Sequence, residues 1–198
     1  MRTRIHAAIA AALLACTVTA CAGTDEEVTT KPKAPAAADK GAEKKDDGAK
    51  AEAAEAKKPK DAKVGDTIAL KGMENGHELD VTVVKVVDNA KSSDDFTAPE
   101  DGNRWIGVQF QLVNTGTKAY ADSPQNGAQI ADDQGQQFQT TFADITAGPS
   151  MSSSVKLKPG AKALGWVVFE VPKTSKADIV QFGMDSGFSD QTGEWKLS

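Results

Sequence analysis

The stretch RWIGVQFQLVN, residues 104–114, decides the fold. Ile106, Val108, Phe110 and Leu112 alternate with Gly107, Gln109 and Gln111, so an extended chain here buries one face and wets the other. Apolar spacing of the helical kind does not fit this window. Two further runs repeat the lesson. In LDVTVVKVV, residues 79–87, Leu79, Val81 and Val83 alternate, and the phase then slips at Val84. A slip of one residue would turn every later side chain to the wrong face, so a β-bulge is expected there. In ALGWVVFEVP, residues 163–172, Val167, Phe169 and Val171 share a face and Pro172 ends the run.

Weaker strands are expected at DTIALK (66–71), GAQIAD (127–132), QQFQTTF (136–142), SSVKLK (153–158), IVQFGM (179–184) and EWKL (194–197). ENGH, NTGT, DDQG and KPGA supply turn chemistry between the runs. About eight or nine short strands separated by regular turns indicate an antiparallel β-sandwich. The chain's two cysteines, Cys16 and Cys21, lie far from these strands, so no inter-sheet disulfide can form and packing must supply the stability.

The order FQLVNTGTKAY, then IADDQGQQF, then LKPGAKALGWVVFEVP resembles the bacterial secreted Ig-like lipoproteins of unknown function, of the DUF4352 type. The resemblance covers most of residues 64–198. It implies an all-β, Ig-like sandwich of two sheets, with no established activity, cofactor or catalytic residue to carry over. The segment DNAKSSDDFTAPEDG then corresponds to a variable connection after an early strand.

The front of the chain has another character. Arg2 and Arg4 precede an apolar stretch from about Ala7 to Val18, the form of a secretory signal. That stretch is too short for a membrane span, which takes roughly 20 apolar residues. Two lipobox frames fit, LLAC ending at Cys16 and VTAC ending at Cys21. The second is favoured, because Val18, Thr19 and Ala20 suit the cleavage site and leave a longer apolar segment before it. Residues 1–20 are then the lipoprotein signal, and Cys21 becomes a lipidated (palmitate-bearing) first residue. Two or more acyl chains make a stable anchor, each buried methylene adding about 0.8 kcal/mol.

From Thr24 to Lys63 there is no aromatic residue and Val28 is the only large aliphatic. Ten acidic residues and ten lysines make residues 25–63 dense in charge yet neutral. Such a stretch cannot bury enough apolar surface to offset its conformational entropy, so residues 21–63 read as a disordered linker. A flexible tether of that length spans about 35 Å. Residues 64–198 carry a net charge of −7 with no basic cluster, which lacks the footprint of nucleic-acid binding.

Candidate chemistry in residues 64–198 is sparse. His77 is the only histidine there, and it reads as a surface residue at a strand entrance. With no cysteine beside it, zinc sites and Cys–His catalysis cannot be assembled, and no GxSxG elbow occurs. Asp94, Asp95, Glu100 and Asp101 share one loop and form a candidate calcium site, although the EF-hand spacing is missing. Asp132 and Asp133 precede Gln134 and Gly135, where turn formation explains them.

By the alternation, Trp105 and Trp166 face away from the core sets of their strands, with Val168 beside them. If the two strands are neighbours, the indoles stand together on an outer face as a ligand-binding patch. The alternative is that the long acidic loop or the tether covers them, or that one joins a second small core. The sequence thus leads to a lipid-anchored, non-enzymatic module on the extracytoplasmic face of the cell membrane. It would need no cofactor and would meet an envelope protein or cell-wall glycan. A metal-dependent protein using the acidic loop, or a passive surface spacer, are the other readings.

Overall fold

A computed structural model of the chain describes residues 62–197 and, in addition, Thr29–Lys31. Twelve strands are present among the described residues, and the named strand pairs are all antiparallel. They are β1 (Thr29–Lys31), β2 (Thr67–Lys71), β3 (Glu78–Asp88), β4 (Asn103–Asn114), β5 (Tyr120–Asp122), β6 (Ala128–Asp132), β7 (Gln137–Phe138), β8 (Thr140–Thr141), β9 (Val155–Leu157), β10 (Lys162–Pro172), β11 (Ala177–Gly183) and β12 (Thr192–Lys196). One sheet runs β1-β2-β3-β4-β10-β8, the other β12-β11-β6-β7, and β5 pairs with β9 alone.

The inward set of β4 does what its alternation requires. Ile106, Val108, Phe110 and Leu112 are at most 2 % exposed and meet Val167, Phe169 and Val171 of β10 in the main core. The second sheet answers with Ile130, Val180, Phe182 and Trp195. Phe110 bridges the sheets, its ring 5.5 Å from that of Phe182 and 6.4 Å from Trp195, the latter edge-on at 80°. The Trp195 indole also donates to the backbone oxygen of Asp66 at 3.0 Å, so its polar end is satisfied inside the core.

The expected bulge is at the expected residue. The β3–β4 register passes from Val83 opposite Phe110 to Lys85 opposite Gln109, leaving Val84 extra and exposed. Beyond it Lys85 points to solvent, Val86 packs on the main core and Val87 reaches the outer face. A regular ladder would have driven Lys85 into the core.

Three details depart from the sequence reading. QQFQTTF is not one strand, because the chain crosses from one sheet to the other at Gln139. β7 pairs with β6, while β8 pairs with Val168 and Phe169 of β10. Strand β5, unforeseen, buries Tyr120 to 1 %. β1 falls inside the stretch that composition assigns to the linker, and its backbone pairs with Thr67–Ala69 at the edge of the larger sheet. Its three residues, Thr-Thr-Lys, have no apolar pattern. Cys21 and the signal segment lie outside the described residues.

Candidate functional site

β4 and β10 are neighbours, with Trp105 opposite Glu170, Gly107 opposite Val168 and Gln109 opposite Trp166. The two indoles and Val168 therefore do share the outer face of the larger sheet. They do not form an open patch. Trp105, Trp166 and Val168 are each 2 % exposed and make a second apolar cluster with Ala90 and Ile145, flanked by Val87 and Ala143. An uncovered stripe of this size would leave a large apolar surface in water. Burying one indole, roughly 200 Å², is worth about 5 kcal/mol at about 25 cal/mol per Å² before entropy is counted. Two chain segments supply the cover.

Residues 142–151 and the loop after β3 are stitched to each other and to the sheet. Ala90 N–H donates to Trp105 O at 2.9 Å, Ser93 N–H to Asp144 O at 3.0 Å and Thr146 N–H to Lys91 O at 2.9 Å. Met151 N–H then reaches Trp166 O at 2.7 Å. Gly107 makes room, since a Cβ there would stand 2.5 Å from Ile145 Cδ1 and 3.3 Å from the Trp166 ring. Glu170 ties the cover down. Its carboxylate accepts from the Trp105 indole at 3.1 Å, the Glu100 backbone at 2.7 Å and the Asn103 amide at 3.0 Å. Burial works against the ionised form, but these three donors outweigh it and hold the Glu170 carboxyl below its ordinary range.

The acidic loop is used for shape. The Asp94 carboxylate accepts from Phe96 N–H at 2.7 Å, Thr97 N–H at 2.8 Å and the Thr97 hydroxyl, which lowers its pKa. Asp95, Glu100 and Asp101 are exposed. Among the described residues no group of three or more His, Cys, Asp or Glu side chains is placed to hold a metal ion. Asp132 organises its turn as expected, accepting from the N–H groups of Gln134 and Gln136. His77 is less open than expected of a surface residue: its side chain is 18 % exposed, Nε2 lies 3.9 Å from Glu74, and Nδ1 is buried without a partner.

A concave polar site lies on the outer face of the smaller sheet. Register sets Gln129 of β6, Gln181 of β11 and Glu194 of β12 in a row across three strands, with Gln137 of β7 beyond. With Asn126 and Thr192 they line a groove of about 350 Å³. Gln181 Nε2 donates to Glu194 Oε1 at 2.7 Å, which orients both heads. The backbone is bare at Gly127, Gly183 and Gly187, also in the lining. One end is closed by a turn in which Asp185, Ser186 and Gly187 all take positive φ, 53°, 57° and 86°. That costly shape is held by Asp122, which accepts from the Ser186 backbone and hydroxyl, both at 2.7 Å. Burial opposes ionisation of Asp122, but the Ser186, Ser123 and Tyr120 donors prevail and keep its pKa low.

Sequence reasoning missed this groove. Alternation alone turns Gln129, Gln181 and Glu194 outward, but only the pairing of β6, β11 and β12 sets them side by side.

The fold and these surfaces define an all-β, antiparallel sandwich with a covered outer cluster and an open polar groove. The chain belongs to DUF4352, a domain of unknown function, whose sequence profile matches residues 72–193. No curated protein matches it. Among solved structures it is similar to the ycdA protein of Bacillus subtilis, described as a candidate lipoprotein, at 14 % identity and a TM-score of 0.48. That match covers 65 % of this chain and only 38 % of the other. It is also similar to the secreted Mycobacterium tuberculosis protein MPT63, at 17 % identity over 68 % of this chain and 95 % of that one, TM-score 0.47. The yjhA protein of Bacillus subtilis matches at 16 % identity over 69 % and 99 %, TM-score 0.47.

Proposed function

We propose that the protein is a non-catalytic binding module of the bacterial cell envelope, anchored by lipid on Cys21 at the extracytoplasmic face of the membrane. Its ligand in this reading is an uncharged, polyhydroxylated chain such as cell-wall glycan, taken in the groove of the smaller sheet. The observation that carries the ligand class is the row Gln129, Gln181 and Glu194. Each sugar hydroxyl both donates and accepts, and a side-chain amide offers both partners from one planar head. Neither lysine nor arginine lines the groove, so nothing in it selects a polyanion. Gly127, Gly183 and Gly187 pack backbone against backbone at one end of the groove, where a Cβ at Gly127 would stand 2.0 Å from Gly183 O.

The anchoring half of the reading rests on the basic start, the short apolar stretch and the VTAC frame of the sequence. Among the described residues no helix is long and apolar enough to cross a membrane. Retention of the purified chain on insoluble cell-wall glycan tests the ligand. The double substitution Gln129→Ala, Gln181→Ala should cut retention about tenfold, the equivalent of two weak hydrogen bonds. Equal retention of the variant would eliminate the groove. For the anchor, Cys21→Ser should abolish metabolic labelling with a fatty acid; a variant that still takes up label would refute it.

A further inference from the structure

Strand β1 pairs antiparallel with β2, Thr29 opposite Ala69 and Lys31 opposite Thr67. The chain therefore enters β1 from the end of the sheet at which β2 runs out into Lys71, Gly72 and Met73. Thr29 follows Cys21 by only eight residues, a path of about 28 Å at full stretch. Through Lys63 instead, the chain between Cys21 and the sandwich reaches about 140 Å at full stretch. The pairing of β1 replaces a long tether with a short one, and it decides which end of the sandwich lies nearest Cys21.

That end carries exposed apolar side chains. Met73 is 70 % exposed and Phe188 is 78 % exposed. They sit on two turns, 72–77 and 184–189, that pack on each other. Met73 N–H donates to Asp185 Oδ2 at 2.6 Å and Phe188 N–H to Asp185 O at 3.1 Å, so one residue holds both. A Cβ at Gly72 would stand 2.8 Å from the same carboxylate oxygen and 3.1 Å from Met184 Cε. The charge of neighbouring Glu74 is matched by Lys118 Nζ at 3.6 Å. Phe142 is also exposed but lies at the far end. Register sets Thr141 level with Val168, Gly107 and Val87, past the Thr67 end of β2 and at the opposite edge of the larger sheet from β1. The exposed Phe96 is on the same side, since Ser93 N–H joins its loop to Asp144 O.

We propose that the tip formed by Met73 and Phe188 contacts the lipid surface that carries the chain, and that β1 is the strap holding it there. This rests on the Cys21 anchor argued above. Exposed apolar side chains on such a tip enter the boundary between headgroups and acyl chains. Two side chains bind weakly by themselves, and the strap supplies the local concentration. Releasing β1 lengthens the tether from about 8 to about 42 residues and lowers that concentration about tenfold, by the −3/2 power of length.

The processed chain, residues 21–198, contains every described residue and has Cys21 as its only thiol. Coupled through Cys21 to a maleimide lipid in phosphatidylcholine nanodiscs, it carries labelled methionine methyls and fluorinated phenylalanine rings as reporters. With 5-doxyl phosphatidylcholine in the disc, the Met73 and Phe188 signals should lose most of their intensity, while Phe96 and Phe142 keep theirs. The buried Met151 and Met184 methyls report that each chain is folded. Adjacent N–H groups of a strand point to opposite sides, so Thr30→Pro with Lys31→Pro removes whichever one faces β2. In that variant the tip signals should recover, following the tenfold loss of local concentration. The proposal is overturned if the tip signals keep their intensity in the parent, if all four exposed reporters fade alike, or if the proline variant fades as the parent does. Fading that follows the number of chains per disc instead of the doxyl lipid would assign the tip to a second copy and overturn it too. Because maleimide chemistry supplies the attachment, failure of fatty-acid labelling at Cys21 removes the anchor reading without altering this measurement.

Discussion

Trp105 and Trp166 lie under the same cover, yet their indole N–H groups fare differently. Trp105 Nε1 donates to Glu170, whereas Trp166 Nε1 is buried without a partner, with Gly148 directly above it. A Cβ at Gly148 would stand 2.8 Å from that nitrogen. Replacing each indole by phenyl removes similar area but different polar terms. Trp105→Phe strips Glu170 of a donor, while Trp166→Phe removes an unsatisfied one. Trp105→Phe should therefore cost about 1 kcal/mol more than Trp166→Phe in denaturant unfolding. Equal losses would mean that Trp166 Nε1 is satisfied in solution. The outward aim of both residues was legible in the sequence, because strand alternation is local. Their burial in a second small core stood among the readings the sequence left open, but the residues that cover them were not legible, because Ala90 and Ile145 come from distant connections with no pattern of their own.

At the scale of the element, β3 shows how one residue sets the faces of all that follow. The pairs on either side of Val84 are adjacent on β4, Phe110 and then Gln109. Deleting Val84 would therefore close the bulge and leave Lys85, Val86 and Val87 facing as they do now. The expected result is a folded protein destabilised by less than about 3 kcal/mol, the range of ordinary single changes, through loss of local twist. Thermal unfolding measures it, and a deletion variant unable to fold would show that Val84 is part of a regular ladder. This bulge was visible as a phase slip between two valines. The sheet switch at Gln139 was not, since QQFQTTF alternates without interruption while its two halves pair with different partners.

For the whole molecule, stability has a pH dependence whose direction follows from its carboxylates. The carboxyls of Asp94, Asp122, Asp132 and Glu170 are all held below the ordinary carboxylate range. In each a set of donors stabilises the ionised form, with burial opposing it. A folded pKa below the unfolded one means that the native state binds fewer protons. These contributions are complete above the unfolded values and vanish as pH falls through the folded ones. The melting temperature should hold steady from neutral pH to about pH 5 and drop below about pH 4. Glu170→Gln should lower it at neutral pH and make the acid drop shallower. A variant whose melting curve falls with acid as steeply as the parent's would detach Glu170 from the effect.

What the sequence determined by itself is periodic and local. The alternation in residues 104–114, the slip at Val84 and the turn residues fixed strand directions, faces and the sandwich class, since each depends on neighbours one or two positions away. What the tertiary structure decided is which distant strands meet. The row Gln129, Gln181 and Glu194, the cover over Trp105 and Trp166, and the packing of the Met73 turn on the Phe188 turn all depend on register between segments tens of residues apart. Strand register follows from the packing of the whole core, and no single segment encodes it.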